Sequence, residues 1–319
     1  MPRRPRKQRG LTSRETLKKK KDAQGTLIII GVVVLLLIGG WYFSQKPTPI
    51  PLDEIGCTKT QAPPELIAIV IDRTDPMSPV QAASVKKHLD RIKTNTPRYA
   101  EIRTFTVGPV AQTTLPINFR ACNPGNPEEI DKWTEPIKRA VKNWKDFNER
   151  FKKYLEGVTP SGSESQSPLI ESIRSIGATT FSDARFDGTP RKRLIIVSDM
   201  LQNSALFSHY RVWLNCKTET IEVEECVERR IPKKGEACTL FGGRRSTSCE
   251  RSVITKLDFP YWKKRIGSRL NSELEGVEVE VYYVRRTGAA QQGGGAHMVF
   301  WEDYFRDNRA TVTRFFSLD

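Results

Sequence analysis

Two aspartates stand where a β-sheet presents side chains to a ligand. Glu65–Asp72 reads ELIAIVID and Arg193–Asp199 reads RLIIVSD, apolar runs that each close on a carboxylate. Such runs mark strands buried on both faces. In an open α/β sheet, ligands sit outside the carboxyl ends of the strands. Three segments would converge there: Asp72–Ser78 (DRTDPMS), Ser167–Leu169 (SPL) and Ser198–Met200 (SDM). They bring carboxylates and hydroxyls, and neither histidine nor thiol. Hard oxygen donors of low total charge suit Mg²⁺, with Mn²⁺ as a substitute. The candidate ligands are Asp72, Thr74, Ser167 and Asp199.

The elements that must hold these residues alternate. Ser78-Pro79 has the form of an N-cap and first-turn proline, and Ala82, Val85, Leu89 and Ile92 follow at helical spacing. Residues 100–107 and 113–120 read as strands. Residues 127–156 read as a long helix with Trp133, Ile137, Val141, Trp144, Phe147, Phe151 and Tyr154 on one stripe. That stripe is read as core, not as a binding groove. A short helix follows at 168–176, and helices are expected at 261–274 and 298–312. Val277–Val284 (VEVEVYYV) alternates as a half-exposed strand does. The expected fold is α/β and Rossmann-like, a mostly parallel central sheet with helices on both faces, preceded by one transmembrane helix.

The ordered set of site residues resembles the von Willebrand factor type A (vWA) domain family with its metal-ion-dependent adhesion site. That family carries D-x-S-x-S after the first strand, a Thr or Ser ahead of a later helix, and an Asp after the fourth strand. Asp72 and Thr74 match the first two motif positions, Ser167 of SPL matches the middle loop, and Asp199 of IIVSDM matches the last. The likeness covers residues 65–204, and 260–312 by pattern only. The third motif position is Pro76, which lacks a hydroxyl; Ser78 lies two residues on, and Asp75 adds a carboxylate. The resemblance implies binding of a protein partner, whose carboxylate would complete the metal's coordination, with nothing turned over.

Two other classes compete. A metal-dependent hydrolase, phosphatase or nuclease, would use Asp72, Asp75 and Asp199; the second acid stands one residue late for a D-x-D phosphatase loop. A purely structural envelope component would keep Asp72 and Asp199 only as acceptors for helix-terminal amides. No GxSxG or Walker A motif occurs. His88, His209 and His297 form no ligand or triad pattern and read as surface or loop residues.

The rest of the chain bears on location. Thr26–Phe43 (TLIIIGVVVLLLIGGWYF) is uncharged and, as a helix, about 27 Å long. Residues 1–25 hold ten Lys/Arg and two acids, a net +8 of the chain's +15. Lys and Arg stay on the cytoplasmic side. The expected domains are a basic cytoplasmic tail (1–25), a transmembrane helix (26–43), a Pro-rich stalk (44–64) and an exported domain (65–319) with a Cys-rich insertion at about 205–258. This places a single-pass protein in the inner membrane, its main domain periplasmic, with an unidentified protein partner in the membrane or envelope. A cleaved signal peptide is the rival reading, but GGWYFSQK lacks a small-x-small cleavage site. The remaining surplus of about +7 does not demand a nucleic-acid partner.

Six cysteines, Cys57, Cys122, Cys216, Cys226, Cys238 and Cys249, all follow the apolar run, and none forms CxxC. An even number in this distribution reads as disulfides, with fifteen pairings open. Cys57 is expected to reach Cys122, and the last four to pair among themselves.

Overall fold

The run Leu66–Asp72 forms strand β1, buried along its whole length in the computed structural model of the protein. The structure describes residues 13–44, 51–74, 76–130, 136–157, 164, 166–209, 259–285 and 294–318, with five short strand segments between 213 and 252. Parallel partners flank β1: β2 (Glu101–Val107) on one side and β4 (Lys192–Ser198) on the other. Beyond β4 lie β10 (Val277–Val284) and β11 (Thr311–Leu318), both parallel, while β3 (Ile117–Cys122) runs antiparallel to β2 at the far edge. The order is β11-β10-β4-β1-β2-β3. The chain winds outward in opposite directions from β1 and β4, so the crevice between their carboxyl ends is the topological switch point.

Residue alternation along β1 divides the core into two layers. Ile67, Ile69 and Ile71 face α2 (Pro79–Asn95) and α3 (Ile137–Glu156) through Val85, Leu89, Phe147 and Phe151. Leu66, Ala68 and Val70 face α4 (Leu169–Ile176), α5 (Phe259–Ile266) and α6 (Gly294–Asp307) through Ile173, Trp262, Phe300 and Trp301. Helices thus cover both faces of a mixed, mostly parallel sheet. Ser78 starts α2 with a capping box: its hydroxyl accepts from the Gln81 amide at 3.2 Å, and the Gln81 side chain accepts from the Ser78 amide at 3.0 Å. Behind α4, a Cβ on Gly177 would stand 2.9 Å from the Glu273 nitrogen, so only glycine lets these backbones meet.

Several expected boundaries move. α3 starts after Pro136, not at 127, because proline fixes the extended entry to the helix. The expected third strand at 113–120 is β3 at Ile117–Cys122. The helix expected at 298–312 ends at Asp307, and Thr311 begins β11, an edge strand absent from the sequence reading.

The chain divides into two compact units, Met1–Ile50 and Pro51–Asp319. In the first, Ser13–Ser44 forms α1. The expected membrane span is not sustained: among the described residues no helix is long and apolar enough to cross a membrane. Single-pass topology, inner-membrane and periplasmic placement, and a partner in the membrane or envelope all rested on that helix and lose their support with it.

In the second unit, residues 51–64 turn back onto the sheet. Asp53 Oδ1 accepts from the amides of Ile55 (3.0 Å) and Cys57 (2.7 Å), and the Cys122 amide donates to the Ile55 carbonyl at 3.1 Å. A disulfide joins Cys57 to Cys122, with Cα atoms 4.9 Å apart and 65 residues of separation. Closing a loop of that length removes about 4 kcal/mol of unfolded-state entropy. Within the expected insertion, strands β5 (Trp213–Cys216), β6 (Thr220–Glu222) and β9 (Cys249–Ser252) form one small antiparallel sheet, and β7 (Cys238–Thr239) and β8 (Arg245–Ser246) a second. Cys226 and the pairing of the last four cysteines lie outside the described side chains.

Candidate metal centre

Asp72 ends β1 and Asp199 follows β4, so neighbouring parallel strands deliver both carboxylates to the switch point. Both are buried, at 6% and 3% exposure. Around Asp72 the structure gathers hydroxyls from three segments. Thr74 donates to Asp72 Oδ1 twice, from its amide at 3.0 Å and its hydroxyl at 2.6 Å. The Ser167 and Ser198 hydroxyls donate to Oδ2 at 3.0 and 2.9 Å. A hydroxyl that gives its one proton to a carboxylate keeps lone pairs for a cation. Asp199 Oδ1 accepts from the Leu201 amide at 3.0 Å.

The electrostatics favour a positive guest. Burial, and then the nearby charge of Asp72, push the Asp199 carboxyl up to about 7. Two carboxylates in one buried crevice disfavour joint ionisation unless a cation lies between them.

The loops are held tightly. The Glu164 amide donates to the Thr74 carbonyl at 2.6 Å, fastening the loop before α4 to the Asp72 segment. Ser167 and Asn203 exchange two backbone hydrogen bonds, at 2.7 and 2.9 Å. Gln202, fully buried, accepts from the Ile170 amide at 2.9 Å and donates to Glu171 and Ser204 at 2.9 and 2.8 Å. Met200 lies at φ 60°, a left-handed conformation that costs a bulky residue about 1–2 kcal/mol. This bend carries the chain from Asp199 into the Asn203 bridge.

The four residues expected from sequence are therefore brought to one edge of the sheet, with Asp72 directly hydrogen-bonded to Thr74 and Ser167. Ser198 was missed as a member of the set, although it directly precedes Asp199 at a strand end. Gln202 was missed because nothing local marks it. Asp75, the extra acid of the hydrolase reading, lies outside the described residues. The histidine reading needs correction: His209 and His297 are buried in the core, with His297 Nε2 3.3 Å from His209 Nδ1. Aromatic side chains around the Met200 carbonyl enclose the pair, and Trp301 Nε1 donates to that carbonyl at 2.8 Å.

A second group of ligand-bearing side chains stands elsewhere. Cys57, Glu101 and Cys122 offer atoms within 4.8 Å of one another, a set that could coordinate a divalent metal. Nothing in it selects magnesium; thiolates with one carboxylate suit softer ions. As folded, the two sulfurs are bonded to each other, and Glu101 accepts from Arg103 at 2.6 Å and Arg120 at 2.7 Å. Its present chemistry is a disulfide beside an ion-pair cluster.

No family model and no curated relative matches the chain. Among solved structures it is similar to the PilB minor pilin from Streptococcus sanguinis, at 9% identity and TM-score 0.35, over 81% of this chain and 58% of that one. It is also similar to an aerotolerance-related membrane protein from Bacteroides fragilis NCTC 9343 carrying multiple mutations to serines. That likeness has 11% identity and TM-score 0.26, over 76% of this chain and 98% of that one. The chain thus spans less than two thirds of the pilin, and at these TM-scores neither likeness assigns a family or a function. The vWA resemblance is not upheld. No family model matches, and the motif has Pro76, without a hydroxyl, at its third position. The adhesion role and the partner carboxylate that it implied go with it.

Proposed function

We propose that the carboxyl edge of the sheet binds one hard divalent cation, magnesium first and manganese as its substitute, through Asp72, Thr74, Ser167 and Asp199. The observation that carries this reading is the convergence of three loops on Asp72, with three hydroxyls donating to its two oxygens beside a second buried carboxylate. Every donor in that set is oxygen, as these ions require. The chemistry is binding without turnover. Both carboxylates serve as ligands, and the set holds no separate histidine, lysine or thiol to act as a base.

The test is calorimetric titration and thermal melting of the full chain with Mg²⁺, Mn²⁺ and EDTA, beside Asp72→Ala and Ser167→Ala. The parent should bind and gain about 2.7 kcal/mol at a hundredfold excess over its dissociation constant. Both variants should lose most of that gain. Phosphatase and nuclease assays in the same buffers should stay at background. A parent with neither binding heat nor a melting shift refutes the centre, and metal-dependent turnover abolished by Asp72→Ala refutes the non-catalytic assignment.

A further inference from the structure

The backbone of the Cys-rich segment narrows the cysteine connectivity that the sequence leaves open. β5 and β9 pair antiparallel in the register Trp213↔Ser252, Leu214↔Arg251, Asn215↔Glu250 and Cys216↔Cys249. Two cysteines thus occupy directly opposed positions at one end of the ladder. Opposed residues of an antiparallel pair have Cα atoms about 4.5–5.5 Å apart and share a face of the sheet. Disulfides span Cα separations of about 4.4–6.8 Å, a range that contains the spacing of opposed positions. Cys238 is placed differently: it lies in the separate β7–β8 ladder, opposite Ser246.

We propose that Cys216 and Cys249 form a cross-strand disulfide between β5 and β9. Of the three ways to pair four cysteines, only one contains this bond. The bond forms by exchange with an external disulfide. One thiolate attacks it, giving a mixed disulfide and releasing one thiol. The second thiolate displaces the other thiol, so two cysteine thiols are oxidised and the external disulfide becomes two thiols. The protein already holds one bridge of this kind at Cys57–Cys122.

The experiment is non-reducing peptide mapping of the full chain after equilibration with oxidised glutathione and acid trapping of free thiols. The Cys57–Cys122 bridge serves as internal control. A cross-linked pair of peptides carrying Cys216 and Cys249 is expected. Linkage of Cys216 to Cys226 or Cys238, or free thiols at both Cys216 and Cys249 beside an intact control bridge, overturns the proposal. In Cys216→Ser, one new titratable thiol is expected, at Cys249; a new thiol at Cys226 or Cys238 instead also overturns it. Should that variant fail to fold, the parent map decides alone.

Discussion

Asp199 bears the largest electrostatic burden in the crevice. Its carboxyl, pushed up to about 7 by burial and then by Asp72, ordinarily titrates near 3.8. A raised folded-state value means that the associated stability is complete below pH 3.8 and is lost as pH rises through 7. At pH 8 without a cation, the folded state carries an unfavourable buried charge. Asp199→Asn keeps an acceptor for the Leu201 amide and removes that charge. It should stabilise the chain in EDTA at pH 8 by about 2–4 kcal/mol and erase the magnesium-dependent rise in melting temperature. Urea unfolding at pH 8 reads the first effect and melting with added Mg²⁺ the second. A variant weaker than the parent in EDTA would mean that an attractive partner, not Asp72, dominates this carboxylate.

The strand ends hold their side chains only because neighbouring segments are tied to each other, and Gln202 is the central knot. Its side chain fastens the first turn of α4, through the Ile170 amide and Glu171, to the segment after Asp199. Gln202→Leu fills similar space but leaves the buried amide without that acceptor. Unfolding should become easier by about 1–3 kcal/mol, and magnesium affinity should fall because Ser167 sits at the start of the same turn. Unchanged affinity in a variant of lowered stability would show that Ser167 is positioned by the Asn203 bridge alone. Such ties explain what the sequence reveals and what it hides. β1 and β4 were legible because unbroken apolar runs of strand length closely followed by an acid have few other readings. The gathering of Asp72, Thr74, Ser167 and Asp199 was legible because the sheet topology places those ends together. β11 was not: Thr311-Val312-Thr313 is a β-branched strand signal, but it follows three residues after α6, and the aromatic helical pattern was extended across it. Pro136 marked the true start of α3 and was overridden by the same kind of extension. The antiparallel direction of β3 and the contacts of Gln202 depend on distant partners, which no local pattern contains.

Across the domain, two buried titrating systems act on stability with opposite sign. The Asp199 effect recovers stability as pH falls from 7 toward 4. The His209–His297 pair does the reverse. Burial, and then His297, hold His209 well below its ordinary value of 6.5, and burial holds His297 at about 4. The groups that meet the pair are the Met200 carbonyl, the Gln202 amide, and the rings of Phe207, Tyr283, Phe300 and Trp301. They are carbonyl, amide and aromatic groups, which offer an incoming proton no counter-charge. Depressed folded values mean that this contribution is complete above pH 6.5 and is lost as pH falls toward 4. For His297 alone the loss approaches about 3 kcal/mol. In the parent without metal, the Asp199 gain offsets only about half of the two-histidine loss, so unfolding free energy should fall by about 2 kcal/mol between about pH 6.5 and 5. In Asp199→Asn only the histidine slope remains, so stability should fall more steeply with acid in that variant than in the parent. Adding His297→Gln should roughly halve that slope, leaving the contribution of His209. Urea unfolding of the three proteins in EDTA, at half-unit steps from pH 8 to 4, separates the contributions. If parent and Asp199→Asn decline in parallel, Asp199 does not titrate near 7 in the folded chain, and the electrostatic support for a cation between the two aspartates is lost.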